Sequence, residues 1–273
     1  MTAHERFEVA QGQTRLAGEH AGRGPALVFL HAGVADRRMW RAELAAFAPT
    51  HHALAYDRRG FGESHGVAES FSHVDDLRAV LDALGERQAV LVGCSQGGRV
   101  ALDFTLAHPE RVRGLVLVAP AVSGAAAPAT PAPSVARLYA SIEEAEARGE
   151  VERVNALEAH LWLDGPQGPE GRVGGAARAL FLEMNGVALR AHSPGEERVP
   201  PSALPRLGEL RVPTRVVCGD LDVPHLQERC ALLARSIPGA DLRMMSGCAH
   251  LPNLEQPRVF EILIRELLDR LDS

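Results

Sequence analysis

Between an apolar run and an amphipathic stretch the chain reads Gly93-Cys94-Ser95-Gln96-Gly97-Gly98. A serine flanked two residues away by glycine on each side fits a sharp strand-to-helix turn, where only small neighbours let the strand and helix pass closely. A hydroxyl at that apex projects past the sheet edge, and the N-terminus of the next helix favours a developing negative charge. This is the chemistry of a nucleophile. Near neutral pH such a serine needs a general base, and the base needs a carboxylate to hold its ring. Cys94 precedes the apex, on the strand, where a small buried side chain is expected.

The chain has 12 histidines. His51, His52, His65, His108 and His160 stand in polar or helix-end contexts and read as solvated or capping residues. His250 differs: it follows the strand-like Asp241–Met245 through Ser246-Gly247-Cys248-Ala249, and Leu251-Pro252-Asn253 leads towards a last helix. Asp220 and Asp222 lie just past the apolar run Arg215–Cys218, in Gly219-Asp220-Leu221-Asp222-Val223-Pro224. Two residues apart in an extended segment, both side chains can point the same way, so spacing leaves the choice open. Asp220, directly after Gly219, suits a turn in which its carboxylate bonds the backbone two residues on. The stretch from Asp222 to His250 is long enough for one helix and one strand.

These residues must be carried by a sheet. Ala26–His31, Ala53–Tyr56, Ala89–Gly93 and Gly114–Ala119 are continuous apolar runs of strand length, as strands covered on both faces require. Helix-like Arg41–Ala48, Val74–Leu84 and Gly98–Ala107 alternate with them. In the second of these, Val74, Leu77, Val80, Leu81 and Leu84 share one face. The pattern predicts an α/β fold, a doubly wound and mostly parallel sheet with right-handed crossovers. Phe7–Val9 and Thr14–Ala17 suit an antiparallel edge hairpin. After an Ala/Pro hinge, Ala121–Pro133, the stretch Ser134–Ala191 reads as helices broken by a Gly/Pro loop at Gly165–Gly175, and Pro-rich His192–Pro205 closes it. Strand signals return at Arg215–Cys218 and Asp241–Met245 around helix-like Leu226–Ile237, and Arg258–Leu271 is an amphipathic helix. Residues 1–120 and 206–273 are therefore expected to form a core domain, with 121–205 a helical cap over its active site.

Composition bounds the partners. Of 273 residues, 46% are apolar and 23% charged, which excludes wholesale disorder. All 29 basic residues are arginine against 35 acidic ones, a net charge of −6, which argues against nucleic acid or an anionic membrane as partner. With no lysine, Schiff-base lysine chemistry, a pyridoxal-phosphate lysine and a phosphate-binding G-K-[ST] loop are excluded. Cys94, Cys218, Cys230 and Cys248 have no zinc-site spacing and read as reduced, buried thiols. Met1 to Val9 lacks the apolar core of a secretion signal, and no apolar run approaches the roughly 20 residues needed to cross a bilayer, so a cytoplasmic protein is expected.

Taken together, several stretches carry a resemblance to the α/β-hydrolase superfamily over nearly the whole chain. They are His31-Ala32-Gly33, Tyr56-Asp57-Arg58-Arg59-Gly60-Phe61-Gly62-Glu63-Ser64, the turn around Ser95, Gly219-x-x-Asp222 and Gly247-x-x-His250. Within it the chain looks like small bacterial esterases and lactonases grouped near 3-oxoadipate enol-lactonase. The resemblance implies a Ser95–His250–Asp222 triad, the family's acid usually lying three residues after the glycine, as Asp222 does. It implies an oxyanion hole from the backbone N–H groups of Gln96 and Gly33, with Val34 the alternative to Gly33 because Ala32 replaces the family's usual glycine. His31 is expected to shape its loop, and Asp57 with Arg58 through Gly62 to organise the neighbouring turn. Relatives with aspartate at the elbow, the haloalkane dehalogenases and epoxide hydrolases, are set aside by Ser95.

The expected activity is hydrolysis of a small-molecule carboxylic ester or lactone through an acyl-enzyme, with no metal or organic cofactor. A carbon–carbon bond hydrolase or lyase using the same triad is the alternative, and a non-catalytic small-molecule binding protein on this scaffold a further one. Trp162 and Phe181 are expected to line a substrate pocket. The sequence leaves the oligomeric state open.

Overall fold

Every central strand carries apolar side chains on both faces, and this alternation builds the computed structural model, which describes residues 4–126 and 128–272. Strands β1 (Glu5–Gln11), β2 (Thr14–Ala21), β3 (Ala26–Leu30), β4 (His52–Tyr56), the short β5 (His65–Gly66), β6 (Ala89–Cys94), β7 (Val112–Val118), β8 (Thr214–Gly219) and β9 (Asp241–Met245) form one sheet. Its order is β1-β2-β4-β3-β6-β7-β8-β9, with β5 on β2. From β4 across to β9 the neighbours are parallel, while β1 and β2 pair antiparallel with each other and β2 with β4.

On one side Val28, Leu30 and Leu91 pack with Leu77 and Leu81 of α2 (His73–Ala83), Val100 and Phe104 of α3 (Gln96–Ala107) and Leu233 of a helix named below. On the other, Phe29, Val90 and Val92 pack with Leu44 and Phe47 of α1 (Arg41–Phe47). The sheet is thus doubly wound, as the uninterrupted apolar runs predict. The edge hairpin is longer than the sequence pattern suggests. Its pairing from Glu5–His20 to Gln11–Thr14 includes polar positions that satisfy each other through the backbone ladder rather than through apolar alternation.

Between β7 and β8 lie α4 (Pro133–Ala147), α5 (Val151–Ala159), a π-helical turn at His160–Asp164 and α6 (Gly175–Arg190). Val135, Leu138, Ile142, Val154 and Leu157 pack together and against Val223 and Leu226 at the start of α7 (Pro224–Ser236), the helix that also carries Leu233. The chain ends in α8 (Pro252–Glu255) and α9 (Pro257–Leu271), whose Phe260, Ile264 and Leu267 cover the α1 face of the sheet.

One polar group is out of keeping with that face. Glu43 of α1 is 2% exposed, and neither carboxyl oxygen has a hydrogen-bond partner. Burial pushes its carboxyl from 4.5 up to about 8. The folded protein therefore keeps a proton there that the unfolded chain gives up, and stability falls as pH rises from 4.5 through 8. The slope for one such proton is about 1.4 kcal/mol per pH unit. Glu43→Gln should remove this component and make the variant more stable than the parent at pH 8. Urea unfolding between pH 5 and 8 checks it; parallel curves for parent and variant would contradict the assignment.

Candidate active site

The turn between β6 and α3 sets the geometry. Ser95 sits at φ 52°, ψ −116°, a conformation that costs a non-glycine residue on the order of 1–3 kcal/mol. Its neighbours leave no room for side chains. A Cβ on Gly93 would lie 2.5 Å from the Gly97 carbonyl oxygen, and one on Gly97 would lie 2.1 Å from that of Leu30. The Ser95 N–H donates to the Val118 carbonyl at 2.9 Å, and the Ser95 carbonyl accepts from Ala121 N at 2.9 Å. The serine is thereby fixed between the ends of β3, β6 and β7, at the N-terminus of a 12-residue helix.

At the ends of β8 and β9 two further side chains meet. His250 Nδ1 lies 2.8 Å from Asp222 Oδ2, and each residue is 2% exposed. In the neutral ring this pairing puts the proton on Nδ1, since a carboxylate only accepts, and leaves Nε2 its lone pair. Asp222 Oδ1 accepts the Val223 N–H at 2.7 Å. The Cys94 thiol donates to the His250 carbonyl at 3.6 Å, so the residue next to Ser95 touches His250. No hydrogen bond joins the Ser95 hydroxyl to His250 in this conformation.

The loop carrying His250 is tied from several directions. Asp220 accepts from Ser246 Oγ at 2.9 Å and Gly247 N at 2.7 Å. This differs from the local turn the sequence suggests for Asp220, because the β9 loop comes close enough to compete for the carboxylate. Glu255 accepts from Ala249 N at 2.7 Å and pairs with Arg172 at 2.6 Å, and Arg172 also donates to the Gly247 carbonyl. The His250 N–H donates to the Trp162 carbonyl at 3.1 Å, and the two rings lie 4.8 Å apart. Arg172 and Glu255 escaped the sequence reading; their only signal was a charged residue in a Gly/Pro loop and another just before the last helix.

The other expected site residues separate. Gln96 begins α3 and Gly33 follows β3, and a Cβ on Gly33 would meet the Gln96 side-chain amide at 2.7 Å. Half-buried Trp162 lies against His250. Phe181 has no exposed surface and shares an apolar cluster with Ala159, Leu163 and Met184. Its spacing in α6 marks an inward face, which the sequence alone could not distinguish from a ligand-facing one. A cavity of about 540 Å³ opens beside Gln96, lined by Arg58, Phe61, Arg99, Ala188 and Pro194 among others.

Two alternative groups near the turn, His31 and Cys94, are occupied or neutral. His31 accepts the Arg58 backbone N–H at Nε2 and donates from Nδ1 to the Ala32 carbonyl, and burial holds its pKa well below the usual histidine value. Burial pushes the Cys94 thiol well up, with Asp222 adding to the effect, so it is no thiolate. Among the described residues no group of three or more His, Cys, Asp or Glu side chains is placed to hold a metal ion.

Comparison with known proteins agrees with this arrangement of strands and loops. The sequence profile described as the alpha/beta hydrolase family matches residues 27–261. A 2-hydroxy-6-oxo-6-phenylhexa-2,4-dienoate hydrolase of Burkholderia cepacia is 28% identical over 260 residues, covering 91% of this chain and 89% of that protein. A pimeloyl-acyl-carrier-protein methyl ester esterase of Aeromonas hydrophila is 27% identical over 256 residues, covering 92% and 98%. The crystal structure of the esterase RhEst1 from Rhodococcus sp. ECU1013 superposes with a TM-score of 0.76 at 26% identity, covering 98% of this chain and 99% of that one.

The two bonds of Asp220 lead to a stability prediction. Asp220→Ala should cost about 1–2 kcal/mol, the value of two partly exposed charge-assisted bonds. Differential scanning calorimetry should show a melting temperature lower by about 2–4 °C. An unchanged melting temperature would mean that the loop is held by its other ties alone.

Proposed function

Because the chain belongs to the alpha/beta hydrolase family, we propose that it is a serine hydrolase that cleaves a small carboxylic ester or lactone through an acyl-enzyme. The observation that carries this reading is the buried Asp222–His250 pair, which touches Cys94, the residue next to the turn apex on which Ser95 is held. Nε2 of His250 takes the proton of Ser95 as its oxygen attacks the substrate carbonyl. The tetrahedral oxyanion settles on the backbone N–H groups of Gln96 and Gly33, at the positive end of α3. Collapse expels the alcohol with the proton from His250, and water then repeats the sequence on the acyl-enzyme. Asp222 keeps the ring in the tautomer that presents Nε2 and stabilises the imidazolium as it forms. Hydrogen bonds of this kind tighten in the substrate complex, so the Ser95–His250 bond is made as the ester binds.

Support for an ester comes from the esterases among the similar proteins. The similarity to a dienoate hydrolase supports a second reading, cleavage of a carbon–carbon bond beside a ketone by the same side chains. Helices α4 to α6, within 121–205, act in either case as a cap. The π-helical turn between α5 and α6 supplies the Trp162 ring and carbonyl to His250, and α6 supplies the Ala188 wall of the cavity.

A panel of p-nitrophenyl esters, lactones and a vinylogous diketone separates the two chemistries, with ester or lactone turnover expected. Ser95→Ala should lose roughly 10⁴–10⁶ in kcat and all labelling by a fluorophosphonate. Asp222→Asn should lose about 10⁴, while Asp220→Ala keeps most of its turnover. Persistent labelling of Ser95→Ala, or a dead Asp220→Ala beside an active Asp222→Asn, would sink the corresponding assignment.

A further inference from the structure

Arg58 is completely buried, and among the described residues no carboxylate lies within ion-pair distance of it. Its Nη2 donates to the Ala32 carbonyl at 3.3 Å and its Nη1 to Gln96 Oε1 at 3.0 Å. The guanidinium also lies 4.6 Å from the centre of the Phe61 ring. A guanidinium can only donate, so it fixes which end of the Gln96 amide faces it: the oxygen. The amide nitrogen is then turned the other way, and it is this Nε2 that comes within 2.7 Å of where a Cβ on Gly33 would stand. The Gln96 side chain therefore lies over Gly33 and extends from the residue whose own N–H is the first oxyanion donor of the proposed mechanism.

We propose that the Gln96 side-chain amide is a third oxyanion donor, aimed by Arg58, so that Nε2–H joins the backbone N–H groups of Gln96 and Gly33. This rests on Ser95 being the nucleophile. Gln96 is then a catalytic residue, and Arg58 a positioning residue that acts through it. A cation on the carbonyl end of an amide polarises it and strengthens the N–H donors at the other end. The charge of Arg58, which forms no ion pair among the described residues, thereby reaches the oxyanion through one amide, without the guanidinium touching the substrate. The same geometry accounts for glycine at position 33, since any side chain there would displace the amide.

The test compares Gln96→Leu, Gln96→Glu and Arg58→Lys with the parent, using a short p-nitrophenyl ester and a boronic acid that forms a tetrahedral adduct on serine. Gln96→Leu fills the same space without a donor. It should lower kcat about 10–100-fold with KM within about twofold, and weaken the boronic acid in proportion. Gln96→Glu should lose more, because it turns an oxygen towards the oxyanion. Arg58→Lys should cost several-fold in the parent and less than twofold in the Gln96→Leu background. A Gln96→Leu protein with parental kcat and altered KM would show a space-filling role and overturn the proposal. Equal losses from Arg58→Lys in both backgrounds would overturn the coupling. Fluorophosphonate labelling of the parent separates this from the underlying reading: if Ser95 is not labelled, the nucleophile assignment fails, and this inference fails with it.

Discussion

The conformation of one residue constrains most of what surrounds it. Ser95 leaves β6 at positive φ and starts α3 immediately, so strand and helix cross with no side chain between them. That crossing requires Gly93 and Gly97, and it places Gly98 so that a Cβ there would come within 2.5 Å of Pro120 Cβ. Ala119, just beyond β7, also adopts positive φ, 39°, where the chain turns away beside Ser95. Two strained non-glycine residues thus lie side by side, joined through the bonds of Ser95 to Val118 and Ala121. The burial of β3, β6 and β7 on both faces is the source of energy that holds this strain.

Loops at that edge are held by arginine rather than by packing. Arg37 meets Asp57, Glu19 and Glu63, and Arg59 meets Asp76 and Glu69, while Arg215 meets Asp241 and Glu266 at the opposite end of β8, each guanidinium almost wholly buried. Each planar fork binds several acceptors at once, which a lysine could not do in the same space. The Asp57–Ser64 turn depends on this: Asp57 accepts from the backbone N–H groups of Arg37 and Glu63, and Ser64 Oγ donates to the Asp57 carbonyl. Burial raises the Asp57 carboxyl to about 6 against the pull of Arg37. Arg58 stands apart in this set. Its partners are neutral, and they belong to the loop and helix that flank Ser95.

The sheet, its crossovers and the loop positions of Ser95, Asp222 and His250 were legible because each is written locally, in a run of apolar residues followed by a short polar turn. What was not legible depends on approach in three dimensions. Asp220 reads as a local turn former until the β9 loop brings Ser246 and Gly247 to it. Phe181 and Trp162 look alike as apolar residues in a helical stretch, yet one is closed into the interior and the other lies against His250. The direction of the Gln96 amide is invisible in sequence, since it is set by an arginine 38 residues away.

The proposed chemistry turns on a covalent acyl group at one oxygen. Rapid-quench mass spectrometry during turnover of a slowly deacylating ester reads this directly. The expected result is a transient gain of the acyl mass, formed in a burst with the released alcohol and mapped by fragmentation of its peptide to Ser95 itself. Steady ester turnover with no acyl mass on that peptide, or with the acyl group on Cys94, would contradict it.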